Sequence, residues 1–153
     1  MAGFTTAMPT SFKAEVLQAL HNFTATTGND FRIALGVASP TGTYGAATTN
    51  YSNLTGNSDE VSGTGYTAGG FDFTAANNTT PLTSGTTGYT TFAVNATWTS
   101  ASFSSSGCII YNFTNGNRAV YVGSFGGTQT VTSGTFTVVM PTNAAGTALL
   151  AIQ

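Results

Sequence analysis

The sequence predicts an all-β fold, a single antiparallel β-sandwich or jelly roll with one α-helix near the N-terminus. Three observations favour this class. Apolar and polar residues alternate along seven or eight short segments, turn-forming residues separate those segments at near-regular intervals, and only one segment has apolar residues at helical spacing. A chain of 153 residues fits one domain. We expect residues 1–153 to form that domain, with an N-terminal arm (1–8), a helix (9–23) and a sandwich (30–153).

The helix is predicted between Pro9 and Phe23. A proline at position 9 is tolerated because it falls in the first helical turn. Its apolar residues recur at helical spacing, at Phe12, Val16, Leu20 and Phe23. We expect this apolar stripe to cover the core of the domain itself.

The first strand is predicted at residues 31–37, where apolar residues alternate with small or polar ones, so one of its faces is expected to be buried. Residues 38–58 and 77–88 are rich in Gly, Thr, Asn and Ser and are predicted as long loops. Between and after them we expect an extended segment at residues 66–74 and a clear strand at residues 89–98, whose apolar face carries Trp98.

The strongest hairpin signal lies in the last third of the chain. Residues 108–113 are apolar on both faces, which predicts a central strand, and residues 118–125 resume a strand pattern after Asn115-Gly116. Gly126-Gly127 is expected to end the second strand. Phe136, Val138 and Met140 then predict another strand, and residues 149–152 close the chain.

Charged residues make up only 5% of the chain, where about 25% is usual. Three basic residues form no stripe that could neutralise a run of phosphates, so we expect neither nucleic-acid nor membrane-surface binding. A nearly neutral, Thr-rich exterior favours a subunit that partners cover, because solubility usually depends on net charge. The alternative is a secreted or cell-surface domain, in which low charge also occurs.

Few side chains of this chain can do chemistry. His21 is expected at the surface or as a cap near the end of the helix, and Cys108 in a strand core. Asp59 and Glu60 are adjacent in a loop but lack the spacing of a calcium loop, and with Asp72 they are the only candidates for a hydrolytic carboxylate pair. We therefore predict no catalytic, cofactor or metal site and a chain that is not an enzyme.

The N-terminus has no basic region followed by an apolar run, and no stretch approaches the roughly 20 apolar residues of a membrane span. The chain is therefore expected to be made and kept, at least initially, in a cytoplasm. The single cysteine cannot form an internal disulfide.

One segment of the chain is specific enough to compare with known families, Glu60-Val-Ser-Gly-Thr-Gly-Tyr-Thr-Ala-Gly-Gly70. Less specific segments are residues 9–17, 30–35, 96–103, 110–112, 117–120 and 125–136. Together these segments resemble a group of small virion proteins of tailed bacteriophages, and the likeness extends over nearly the whole chain.

The resemblance implies a structural protein of the phage particle, made in the host cytoplasm and located in the virion. Within that class we favour a capsid decoration, or cement, protein that bridges major capsid proteins as a homotrimer. Phe4 and Met8, which precede the helix, are our candidates for the partner contact. The alternative is a tail or receptor-binding module that contacts host glycans through the loops at residues 38–58 and 77–88.

Overall fold

A computed structural model describes all 153 residues and confirms an all-β sandwich with a helix near the N-terminus. Nine strands, two α-helices and one 3-10 turn follow one another along the chain. They are β1 (Gly3–Phe4), α1 (Thr10–Leu17), β2 (Phe31–Val37), β3 (Thr43–Tyr44), α2 (Ser52–Gly56), β4 (Phe71–Asp72), the 3-10 turn (Ala75–Asn77), β5 (Leu82–Ser84), β6 (Thr87–Thr90), β7 (Ala96–Asn112), β8 (Arg118–Val138) and β9 (Leu150–Ile152).

The strands form one main sheet and two smaller ones. The main sheet is antiparallel, in the order β4-β2-β7-β8, and a second antiparallel sheet has the order β5-β6-β9. The two-residue strands β1 and β3 pair in parallel, so the N-terminal arm lies beside the loop that follows β2. Neither α1 nor α2 combines the length and apolar character needed to cross a membrane.

The main sheet is covered on both faces. Along β2, Ile33 and Leu35 belong to a core cluster of 16 buried residues, whereas Ala34 belongs to a second cluster of seven. Along β7, Ile110 joins the first cluster and Ile109 the second. Because successive side chains of a strand point to opposite faces, these alternations place one apolar layer on each side of the sheet. The central position predicted for residues 108–113 is thereby confirmed as far as Asn112.

The helix is shorter than predicted. It covers Thr10–Leu17 rather than residues 9–23, and Ala19 beyond it has a φ of +57°, a left-handed conformation that a continuing helix does not contain. Phe12 is buried as expected, but Leu17 is 89% exposed. Phe23 reaches the core from an extended segment, where its ring stacks on Phe31 at 4.4 Å between centroids.

The strand predicted at residues 89–98 is two strands. β6 ends at Thr90 and β7 begins at Ala96, because the intervening residues bond to the segment before β5. The Ala93 amide donates to the Asn77 carbonyl at 2.8 Å, and the Thr79 amide to the Thr91 carbonyl at 3.3 Å. Trp98 is buried in the core, in agreement with the alternating pattern.

The hairpin around Asn115-Gly116 is confirmed, with β7 and β8 on either side of it, but both strands continue much further than predicted. β8 runs for 21 residues and passes through Gly126-Gly127, so the expected strand end there is wrong. Ser105 and Gly107 of β7 lie opposite Gln129 and Ser124 of β8, so β8 bulges outward between those two pairs. Phe136 and Val138 therefore belong to β8, and Met140 lies beyond its end.

Candidate interaction surface

The N-terminal arm is fixed to the domain at both of its sides. The Gly3 amide donates to the Gly42 carbonyl and the Thr5 amide to the Tyr44 carbonyl, each at 2.9 Å. On the other side, Ala7 and Val122 exchange two backbone hydrogen bonds of 2.9 Å. The arm therefore lies over the face of the main sheet that carries the second core cluster. It runs from β3 to the first half of β8, where Ala7 pairs with the outer edge of that strand.

Phe4 docks into a slot of its own domain. Its ring stacks on Tyr44 at 4.7 Å between centroids and covers Gly36 of β2 and Gly107 of β7. A Cβ atom at either glycine would overlap the Phe4 ring, so these two residues must lack side chains for the ring to fit. The two neighbouring strands thus provide a recess that this aromatic side chain fills.

Both residues predicted to contact a partner are half-buried against their own chain. Phe4 packs on the second core cluster, and Met8 packs on the first. Their contact with another protein stays a prediction. The exposed part of the arm is polar or small instead, at Ala2, Thr5 and Thr6, apart from the terminal Met1.

Asp59 is a buried carboxylate whose oxygens are held by protein donors. It accepts hydrogen bonds from the Tyr44 hydroxyl at 2.6 Å, the Gly42 amide at 2.8 Å and the Thr41 amide at 2.9 Å. Burial by itself raises the pKa of Asp59, but these donors outweigh burial and hold the pKa below its ordinary value. Asp59 therefore fixes the loop after β2 as an anion.

Glu60 holds the loop between β3 and β4 together. Its side chain accepts hydrogen bonds from the Tyr51 hydroxyl at 2.6 Å, the Gly69 amide at 2.7 Å and the Tyr66 hydroxyl at 2.8 Å. The Tyr111 hydroxyl donates in turn to the Gly69 carbonyl at 2.8 Å. Glu60, Tyr66 and Gly69 all lie in the segment 60–70, so this motif encodes a polar anchor for its own loop.

The two neighbouring carboxylates therefore face different partners. The loop around Asp59 and the loop around Glu60 use them separately, and Asp72 forms an ion pair with Arg32 at 3.1 Å. No group of three or more His, Cys, Asp or Glu side chains comes together anywhere in the chain. The carboxylates considered from the sequence as a calcium or hydrolytic set are thus occupied by structural contacts.

A second buried polar cluster was not predicted. His21 Nε2 lies 2.8 Å from a Glu15 oxygen, the Asn112 amide nitrogen lies 3.0 Å from His21 Nδ1, and Arg118 pairs with Glu15 at 3.0 Å. The His21 side chain is fully buried, so its predicted surface or capping role is wrong. The cluster joins the segment after α1 to the β7–β8 turn. No motif in the sequence points to this cluster; the only hint is that so few charged residues are present.

An apolar groove of about 520 Å³ opens beside this cluster. Its walls come from α1 and the segment after it on one side and from the β5-β6-β9 sheet on the other. Leu82 and Ile152 stand at its border and are each about half exposed, at 50% and 49%. The groove is an apolar recess at the open side of the smaller sheet.

The surface outside these sites carries almost no free charge. Of the eight charged side chains, seven make a hydrogen bond or ion pair within the fold, and Lys13 alone makes none. All eight belong to residues 13–118, so the sequence from Ala119 to Gln153 has no charged side chain. Most of β8 and everything after it present hydroxyl, amide and apolar groups only.

The chain was compared with known protein families, with curated proteins and with solved structures, and none of them matches it.

Proposed function

We propose that this chain is a structural subunit of a tailed-phage particle, and specifically a capsid decoration protein that stabilises the head by bridging major capsid proteins. The resemblance of its segments to small phage virion proteins supports the particle. The distribution of charge supports a covered surface, and it is the observation on which the proposal chiefly depends.

The argument from charge has two steps. Proteins that stay dispersed as free molecules usually carry charged side chains over their surface. In this chain seven of the eight charged side chains make a hydrogen bond or ion pair with another part of the chain, which leaves little unpaired charge on the surface to keep copies apart. Such a surface suits a protein that spends its working life against other proteins.

The proposal requires contact area and no chemical step. A stable protein contact buries upwards of about 1,000 Å², and many symmetric copies on a shell add weak contacts into a strong attachment. The partners in this proposal are the major capsid protein and further copies of the chain. The resemblance implies that three copies associate as a homotrimer. Nucleic acid and membrane are not partners in it, and the buried carboxylates serve the fold.

Electron cryomicroscopy of the intact particle tests the proposal directly. We expect density for this fold on the outside of the head, at the junctions between capsid subunits. Heads that lack the protein are expected to rupture at lower temperature and to recover when the purified chain is added back. Density confined to the tail tip would support the receptor-binding alternative and reject the decoration role.

A further inference from the structure

We propose that the outer edge of β8 is the surface through which two copies of this chain pair, strand against strand. The inference concerns a contact between two copies, which differs from the trimer that the resemblance implies, and it rests on the proposed function only for its setting in a particle.

The outer edge of β8 is long and free. β8 is the last strand of the main sheet, and between Gly123 and Val138 its backbone hydrogen-bonds to the backbone of no segment other than β7. The opposite edge of the same sheet is β4, which has only two residues. A free edge presents a row of unpaired amide and carbonyl groups, which is a template for another strand.

The N-terminal arm already occupies the first part of this edge. Ala7 bridges Val122 in the antiparallel sense, and the Ser124 amide donates to the Thr6 side chain at 3.1 Å. The outer side of β8 therefore accepts an antiparallel segment at one end. From Phe125 onward, no segment of the chain takes that place.

The free part of the edge lacks the residues that usually prevent pairing. Soluble proteins protect a long edge with charged side chains, especially Lys, or with Pro, and residues 119–138 contain neither. The protection that is present is irregular geometry. Register shifts bend β8 between Ser124 and Gln129 and again between Val131 and Gly134, which confines regular pairing to short stretches and opposes unlimited growth.

The most regular exposed stretch is centred on Thr130. Gln129, Thr130 and Val131 lie in continuous register opposite Ser105, Ser104 and Phe103 of β7, and residues 128–130 and 132 are exposed. Within the hairpin the hydroxyl of Thr130 already lies 2.8 Å from that of Ser104. The same hydroxyl pairing is available to a strand on the other side.

A second copy fits this edge better than a charged partner does. A two-fold axis near Thr130 places the edge antiparallel to itself, so the two partners match in length and in side-chain type. Because neither copy has a charged side chain there, like copies do not repel one another, and a charged strand finds no opposite charge. Such a contact joins two copies, whereas the resemblance implies three.

Sedimentation of the purified full-length chain over micromolar to millimolar concentrations tests the pairing. We expect a monomer–dimer equilibrium. Thr130→Lys places like charges directly opposite one another at the axis and is expected to weaken dimerisation at least tenfold. Thr130→Val, which keeps the branched side chain without charge, and Thr55→Lys, which adds the same charge on exposed α2, are expected to dimerise like the parent.

Covalent trapping supplies a second measurement. Antiparallel neighbours across an edge come close enough for a disulfide, so Thr130→Cys is expected to form a covalent dimer on mild oxidation, whereas Thr55→Cys is not. A parent chain that stays monomeric throughout and Thr130→Cys without cross-linking would overturn the inference, as would a trimer that Thr130→Lys leaves intact. These results concern the free chain, so they leave its place on the particle to the microscopy.

Discussion

At the scale of single residues, a few charged side chains hold the loops of this fold in place. Asp59 and Glu60 are adjacent in sequence, yet each collects three or more donors from a different loop. In a chain with so little charge, each ionised group that is buried must have its partners supplied by the fold, because an unpaired buried charge is strongly unfavourable. The few buried charged side chains therefore lie where separate segments of this protein are held together.

His21 makes the stability of its polar cluster with Glu15 and Asn112 dependent on pH. Burial lowers the pKa of His21 below its ordinary value of 6.5, although Glu15 beside it favours the charged form and Arg118 opposes it. Asn112 presents its amide nitrogen to Nδ1, and its own oxygen accepts from the Asn115 amide at 3.0 Å, which fixes the amide orientation. The neutral ring with its proton on Nε2 therefore fits the site.

We expect the free energy of unfolding to fall as the pH drops below about 6.5, because the unfolded chain binds the proton first. The slope contributed by this one group is at most about 1.4 kcal/mol per pH unit, and it disappears below the lowered pKa of the folded state. Urea unfolding of the parent and of His21→Gln at a series of pH values measures it. An identical pH profile for both proteins would falsify this assignment.

At the scale of elements, the end of α1 shows where local sequence pattern and structure differ. The apolar residues recur as far as Phe23, but the chain turns at Ala19 with a positive φ and carries Phe23 into the core along an extended path. Helical periodicity predicts which residues face the core. A segment that leaves the helix can bury the same residues, so the pattern does not determine where the helix ends.

Two alanine-to-glycine changes test this helix end. Ala19→Gly relieves a left-handed alanine and is expected to stabilise the protein by about 1 kcal/mol. Ala14→Gly, in the exposed middle of α1, is expected to destabilise it by about 1 kcal/mol. Thermal unfolding of both variants measures the difference. If the helix continued to Phe23, both changes would be unfavourable.

Besides its backbone hydrogen bonds, the arm is held by the ring of Phe4, and this contact has a selective test. Of the two glycines under Phe4, Gly36 would bring a Cβ atom against the Phe4 ring alone. Gly36→Ala is therefore expected to cost about 1–3 kcal/mol of unfolding free energy in the parent and less than about 0.5 kcal/mol in Phe4→Ala. Denaturant unfolding of the four proteins of this cycle gives the coupling. Equal costs in both backgrounds would show that the ring does not occupy the slot.

At the scale of the whole molecule, the sequence predicts the fold class and the buried residues better than it predicts the lengths of the strands and the contacts between distant segments. The alternation around Ile33 correctly identifies a strand, but it predicts one buried face where β2 is buried on both. The apolar run at residues 108–113 correctly identifies a central strand, and Asn115-Gly116 correctly identifies the hairpin. The length of β8 escaped prediction because Gly126-Gly127, read locally as a strand end, is accommodated as a bulge once β7 continues alongside it. Long-range pairing decides that outcome, and no local pattern contains it.

The same limit applies to the sites. The segment 60–70 was singled out as a motif, but its role as an anchor depends on Tyr51 and Tyr111, which lie outside it. Likewise, Glu15 and His21 are six residues apart, whereas Arg118 joins them from 103 positions away. The composition shows that charged residues are few, but it does not show that seven of the eight make a hydrogen bond or ion pair within the chain.

The position of the arm also sets an order of events during synthesis. Residues 1–8 leave the ribosome before the surfaces that receive them, which are made by residues near Gly36, Tyr44, Gly107 and Val122. A nascent chain therefore exposes Phe4 to solvent until most of the polypeptide has emerged. Docking of the arm is consequently among the last steps of folding, and it can proceed only on a body whose hairpin has already closed.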